Sequence, residues 1–333
     1  MKKSSKPLKQ TVSHPRRRIF VAFGWFFGVL LGTILLLVAL VYAWPLTDAR
    51  LQAQPYQDYT FAQAVREIET RVIADEQDGR IKADCGTKAY LHETRQARSV
   101  VLFHGYTACT EQYDSYARDL YEAGYNVYVP RAPKHGLGDG KRIIAPAAEL
   151  ASYASEAVSF AKALGEESGV IGISGGGVLA TWTAAYRPDA VKRALILSPF
   201  YEPAPELAPK WQIKPLVTLV GQFGLFDIND GDDGTYRGLS QYLLLVRNLP
   251  RQSQPLPAAV IVAPGDPLID KQVARDLSER LLPARQLFET PSQWNFMHDI
   301  MSADEIGELS SQAYSEYTKA YESTGPELLI RRP

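Results

Sequence analysis

The chain has 333 residues, 46% of them hydrophobic and 22% charged, a composition that supports a folded core large enough for one big domain or two ordinary ones. Its net charge of −1 conceals an asymmetry: residues 1–44 carry seven basic side chains and no acidic one, so the remainder carries −8. An acidic main body argues against nucleic acid as a partner, and two cysteines without a C-x-x-C or Cys/His cluster argue against a zinc site.

The first 18 residues form a basic tail. From Ile19 to Trp44 no residue is charged, and most are apolar. A helix of about 20 apolar residues spans a bilayer core, so residues 19–44 are predicted as a transmembrane helix with Trp25 and Trp44 as interfacial aromatics. The basic residues all precede it, which predicts a cytoplasmic N-terminus and a main domain on the extracytoplasmic side. A cleaved signal peptide is the competing reading, since Val41-Tyr42-Ala43 offers small residues. The apolar run exceeds the 7–15 residues of a signal core, so an uncleaved anchor is preferred. Residues 45–60, with Pro45 and Pro55, read as a linker to a domain over 61–325.

Apolar residues at helical spacing (Phe61, Val65, Ile68, Val72) open that domain. A short strand is expected over Lys88–His92 and a turn over Glu93–Ala97. Cys85 and Cys109 are either a disulfide, if the compartment is oxidising, or two buried thiols. Ser99–Phe103 is a continuous apolar run, as in a strand covered on both faces, and it ends at His104-Gly105. A helix over Tyr113–Ala123 closes at Gly124. A strand over Tyr125–Val129, a loop at His135-Gly136-Leu137-Gly138 and a long helix over Ala147–Leu164 follow. The run Val170-Ile171-Gly172-Ile173 then leads into Ser174-Gly175-Gly176.

This last stretch organises the rest. A strand, a sharp turn and a helix place a serine at an apex whose neighbours two positions away must be small, as Gly172 and Gly176 are. The serine oxygen then stands at a helix N-terminus, where backbone N–H groups favour developing negative charge. The elbow helix runs to about Tyr186, and a strand follows over Ala194–Leu197. Alternation of strand and helix predicts a mostly parallel sheet with helices on both faces. Ligands in such folds sit beyond the carboxyl ends of the strands.

Residues 199–250 interrupt the rhythm with helical segments over Trp211–Val220 and Leu239–Val246, read as a small lid insertion. Phe200, Tyr201, Trp211, Phe223 and Phe226 are either pocket-lining or core. The acidic loop Asp227–Gly234 lacks the spacing and terminal Glu of a calcium-binding loop. The strand Ala258–Ala263 ends in Pro264-Gly265-Asp266. A helix over Lys271–Leu281, a strand over Arg285–Glu289 and a loop carrying His298 come next. A final helix is expected from Ser302, with Glu305 completing a capping box.

A serine hydroxyl needs a base, and histidine suits neutral pH. Of the five histidines, His298 alone follows the last predicted strand at the right end of the sheet. The order Ser174, Asp266, His298 is the one expected of a serine-elbow fold. Asp266 is preferred over Asp270 as the orienting acid, because Asp270 immediately precedes a helix and reads as its N-cap. The oxyanion donors are assigned to the backbone N–H groups of Gly175 and Tyr106, and His104 to a structural hydrogen-bonding role.

The motifs Leu102-Phe103-His104-Gly105-Tyr106-Thr107, Gly172-Ile173-Ser174-Gly175-Gly176-Gly177, Gly265-Asp266-Pro267-Leu268-Ile269-Asp270 and Met297-His298-Asp299 resemble those of the α/β-hydrolase superfamily. The spacing is similar to its monoacylglycerol-lipase and carboxylesterase branch over about residues 85–322. His135-Gly136-Leu137-Gly138-Asp139-Gly140 resembles that branch's H-G-x-S-x-G loop, with Gly138 in place of Ser. The resemblance implies an α/β-hydrolase fold and hydrolysis of carboxylic esters, carboxylesterase- or lysophospholipase-like, through an acyl-enzyme. Ser174 is then the nucleophile, His298 the base and Asp266 its orienter. A small or lipid-derived ester is the expected substrate, and no cofactor or metal is expected. A peptidase or acyltransferase using the same three residues is the alternative within enzymes, with Glu202 and Glu206 as candidate amine-holding acids. A catalytically silent binding module is the alternative outside them. Gly175 departs from the pattern where a larger residue is common, which predicts a looser elbow or a more open acyl site.

Overall fold

The computed structural model describes residues 15–138, 144–225, 234–253 and 255–332. Phe226, the predicted acidic loop Asp227–Gly234 except for its last residue, and the Asp139-Gly140 end of the histidine loop lie outside the described residues. The chain divides into two units, Met1–Pro45 and Leu46–Pro333. In the first, helix α1 (Pro15–Ala43) contains a stretch, Phe23–Ala43, long and apolar enough to cross a membrane.

In the second unit helix α2 (Phe61–Gln77) starts with a full capping box between Thr60 and Gln63. Strands β1 (Lys88–Tyr90), β2 (Gln96–Phe103) and β3 (Tyr125–Val129) follow, with helix α3 (Asp114–Glu122) between the last two. Gly124, at φ +87°, closes α3. Then come α4 (Ala147–Leu164), β4 (Gly165–Ile173), α5 (Gly175–Tyr186) and β5 (Arg193–Leu197). Helix α6 (Lys210–Pro215) passes into a π-helical segment, Leu216–Gln222. Pro215 lacks an N–H and cannot continue the regular α pattern. Helix α7 (Tyr236–Arg247) precedes β6 (Ala258–Val262), α8 (Lys271–Leu281) and β7 (Arg285–Glu289). Helices α9 (Ala303–Ile306) and α10 (Ser310–Glu322) and strand β8 (Ile330–Arg332) end the chain.

The strands form one sheet in the order β1-β3-β2-β4-β5-β6-β7-β8, antiparallel only at its two edges. Alternation along each strand divides the core. Val100 and Leu102 face one layer with Ile171 and Ile173, covered by α3 and α10. Val101, Phe103 and Val170 face the other, covered by α4, α5 and α7. Because β2, β4, β5, β6 and β7 are parallel and adjacent, the loops that follow them all open on one rim.

Four expectations are corrected. The strand containing Ser99 begins at Gln96, so the turn before it is shorter than predicted. The final helix is broken: Gly307 takes φ +56° and ends α9 after one turn, and Ser302 makes no side-chain cap, so the predicted capping box does not form. Strand β8 extends the sheet beyond residue 325, pairing with β7. Residues 46–58, read as linker, are packed on the body. Leu46 and Leu51 are buried, and Asn248 binds both Leu46 O (2.8 Å) and Asp48 N (2.7 Å). The Trp182 indole donates to Leu51 O at 2.7 Å, and Arg187 stacks on the Tyr56 ring.

Candidate active site

Ser174 occupies the apex between β4 and α5 with φ 55° and ψ −118°, a conformation that costs a non-glycine residue about 1–3 kcal/mol. Its surroundings hold it there. Ser174 N donates to Leu197 O, and Ser174 O accepts from Phe200 N and Val178 N. The small neighbours are a steric requirement. A Cβ on Gly172 would lie 2.2 Å from Gly176 O, and one on Gly176 would lie 1.9 Å from Phe103 O. The start of α5 therefore lies backbone to backbone against both the end of β4 and the end of β2.

The loop after β6 turns through a bond from Asp266 N to Ala263 O, and the Lys271 ammonium props it by donating to Pro264 O and Asp266 O. Asp266 is buried; its Oδ1 accepts from Leu268 N at 2.8 Å, which orients Oδ2. His298, in the loop after β7, meets Asp266 Oδ2 through Nδ1 at 2.8 Å and Ser174 Oγ through Nε2 at 2.8 Å. The rival acid, Asp270, caps α8 by accepting from Gln272 N and Val273 N. With Nδ1–H donating to the carboxylate, Nε2 is left as the acceptor for the serine proton.

Gly175 is the first residue of α5, so its N–H has no intrahelical partner. The predicted opening at this residue is absent. A Cβ on Gly175 would lie 3.0 Å from Cε1 of Tyr242, whose ring occupies that space. Tyr242 packs edge-on against Tyr106, and its hydroxyl meets His135 Nε2 at 3.3 Å. The Tyr106 hydroxyl in turn donates to Thr235 O and accepts from Thr235 N, joining the loop after β2 to the start of α7. The residues over 235–247 therefore roof the elbow. Of the aromatics proposed for a pocket, Phe200 and Tyr201 are in the core, while Trp211 and Phe223 are exposed.

The other histidines among the described residues have structural places. His92 stacks on Tyr121. His104 accepts from Ala132 N at 3.1 Å through Nε2. Burial lowers the His104 pKa to about 4 and, with His104 beside it, that of His135 to about 3. In the unfolded chain both titrate near the ordinary value of about 6.5. The folded values are depressed, so the unfolded chain takes up protons first as pH falls. The stabilisation is complete above about pH 6.5 and declines toward pH 4 and below. A shift like that of His104 corresponds to about 3 kcal/mol. Denaturant unfolding at pH 7 and pH 4.5 should show this loss; equal midpoints would mean that neither imidazole is held neutral.

Of the two alternatives for the cysteines the disulfide is the one that forms, whereas the role of Gln112 is absent from the sequence reading. Cys85 and Cys109 form a disulfide with Cα atoms 5.2 Å apart, tying the loop after β2 to the segment before β1. Gln112 links the Gly105 and His298 loops, accepting from Gly105 N at 2.8 Å and donating to Asp299 Oδ2 at 2.7 Å. A polar residue seven positions beyond Gly105, in a helical turn between apolar neighbours, is the only hint.

Residues 94–224 match the model of the family described as serine aminopeptidase, S33. A search of curated proteins finds no match. Among solved structures, the chain is similar to a monoacylglycerol lipase of Paleococcus ferrophilus, with TM-score 0.58 and 19% identity over 72% of this chain and 98% of that one. It is also similar to a soluble variant of monoglyceride lipase from Saccharomyces cerevisiae, with TM-score 0.52 and 14% identity over 71% of this chain and 92% of that one. A third is Est1E from Butyrivibrio proteoclasticus with ferulic acid bound, with TM-score 0.52 and 17% identity over 71% and 97%. The sheet order, the strained serine after its fourth strand, and these likenesses give the chain the α/β-hydrolase fold, and the family match over residues 94–224 supports a serine hydrolase.

Proposed function

We propose that the protein hydrolyses carboxylic esters through an acyl-enzyme on Ser174, with His298 as general base and Asp266 as its orienter. The observation that carries this reading is the unbroken relay of two 2.8 Å contacts from Ser174 Oγ through His298 to a buried carboxylate. In the first step His298 Nε2 takes the hydroxyl proton as Oγ attacks the acyl carbon. The carbonyl oxygen becomes an oxyanion, which the Gly175 and Tyr106 N–H groups would receive at the N-terminus of α5. The same imidazole then returns the proton to the departing alcohol, and water repeats the sequence to free the acid. The described part of the insertion over 199–250, with α7 above the elbow, serves as the lid over this site.

Ester is favoured over peptide as substrate because Glu202, a candidate for holding a substrate amine, is neutralised by Arg247 at 2.5 Å. We place α1 in a membrane as an uncleaved anchor, with the N-terminus cytoplasmic and the hydrolase domain outside, next to lipid-derived esters. The disulfide supports the oxidising side. A fluorophosphonate probe applied to the full-length chain in detergent should label Ser174, and short aryl esters should be turned over while aminoacyl anilides are not. Labelling that persists in Ser174→Ala, or faster anilide than ester cleavage, would refute the respective half of this reading.

A further inference from the structure

The loop after β2 and the loop after β7 approach the elbow from opposite sides, and one side chain joins them. Gln112 is buried on the helical turn Thr110–Tyr113. Its carbonyl accepts the Gly105 N–H, so its amide must face the Asp299 carboxylate, an acceptor-only group. Asp299 is equally committed. Its Oδ1 accepts from Met301 N and Ser302 N, both at 2.9 Å, which folds the chain just after His298. Gly105 meanwhile faces the nucleophile, since a Cβ built on it would sit 3.7 Å from Ser174 Cβ. The turn that carries Gln112 is itself anchored. Cys109 is in the disulfide, the Thr110 hydroxyl donates to Gly86 O at 2.6 Å, and the Tyr113 hydroxyl donates to Phe103 O at 3.2 Å.

We propose that Gln112 is a positioning residue of the hydrolase. Through its two hydrogen bonds it sets the spacing between the loop that presents the Tyr106 N–H and the loop that presents His298. The inference rests on the reading of Ser174 and His298 given above. Gln112 touches neither substrate nor the reacting atoms; it acts through Gly105 and Asp299. Displacements of about 1 Å between reacting groups cost up to about a hundredfold in rate.

The polarity of the bridge gives a specific test. Gln112→Glu sets two carboxylates against each other. Asp299→Asn leaves two amide donors opposed, and turning the glutamine over only moves the conflict to Gly105. Together, Gln112→Glu with Asp299→Asn restores one donor and one acceptor at every contact, with the bond direction reversed. In the full-length chain, each single substitution should lower kcat for an aryl ester by about 10- to 100-fold with KM nearly unchanged. The double variant should return to within about threefold of the parent. Single variants with parental kcat, or a double variant no better than the worse single, would overturn the proposal. Should a charge variant fail to fold, Gln112→Ala decides, since water can enter beside both partners. A tenfold lower kcat supports positioning, and an unchanged kcat overturns it. Fluorophosphonate labelling of the parent separates the two levels. An unlabelled Ser174 overturns the ester-hydrolase reading and this proposal together, whereas a labelled parent with indifferent Gln112 variants overturns only the proposal.

Discussion

Replacing His298 with alanine should reduce ester turnover by about 10⁴- to 10⁶-fold while leaving KM within a few-fold of its parental value. The reason is the path of one proton. At neutral pH the Ser174 hydroxyl is a poor nucleophile, and among the described residues the base in contact with it is Nε2 of His298. Without that imidazole the proton must pass to water, and the departing alcohol loses its acid as well. The proposed oxyanion donors are untouched by this change, so residual catalysis should remain above the uncatalysed rate. Asp266→Asn should fall by about 10⁴-fold, because an amide can donate to Nδ1 and thereby fix the wrong tautomer. The His298 side chain is partly exposed, at 17%, so its loss leaves no sealed cavity and the thermal midpoint should hardly move. Steady-state kinetics with matched melting curves test this. A His298→Ala enzyme keeping more than about one per cent of parental kcat would remove the imidazole from the mechanism.

The second large effect concerns folding. Gly176→Ala should destabilise the protein by about 3–5 kcal/mol, enough to keep most of it from accumulating in folded form. The added methyl would meet Phe103 O at 1.9 Å, Phe103 C at 2.5 Å and His104 O at 2.6 Å. All three are main-chain atoms at the end of a central strand, where no rotamer change can make room. Relief would require separating α5 from β2, which also moves Ser174 relative to Gly105. Two comparisons calibrate the result. At Gly79 nothing lies within 4 Å of an added Cβ, so Gly79→Ala should stay within about 0.5 kcal/mol of the parent. At Gly175 the obstacle is the edge of the Tyr242 ring at 3.0 Å, so Gly175→Ala should cost about 1 kcal/mol or less as the ring shifts. Urea unfolding of the three variants gives the ranking, and a Gly176→Ala protein as stable as Gly79→Ala would show that the elbow is not sterically closed.

What the sequence determined by itself is local or nearly so. Alternation and apolar runs gave β2, β4, β5 and β6, since a strand buried on both faces needs continuous apolar residues whatever lies beside it. Glycines at 172 and 176 disclosed the elbow because contacts within a few residues impose them. Chain order singled out Ser174, Asp266 and His298, which the structure brings into mutual contact because parallel strands deliver their following loops to one rim.

Tertiary structure decided the rest, wherever a residue's role depends on a partner distant in the chain. The short edge strand β8 has no apolar pattern, and only the free edge of β7 makes it a strand. The capping-box spacing at Ser302 and Glu305 was overridden by Gly307 and by Asp299, which claims the Ser302 N–H. Residues 46–58 look like linker because their anchors, Asn248, Trp182 and Arg187, are more than a hundred positions away. Tyr242 fills the space that Gly175 leaves from 67 positions away, and Gln112 finds Asp299 across 187. Short-range sterics and periodicity are written in neighbouring residues, whereas packing and polar pairing are settled only when the sheet assembles and brings separate loops to the same edge.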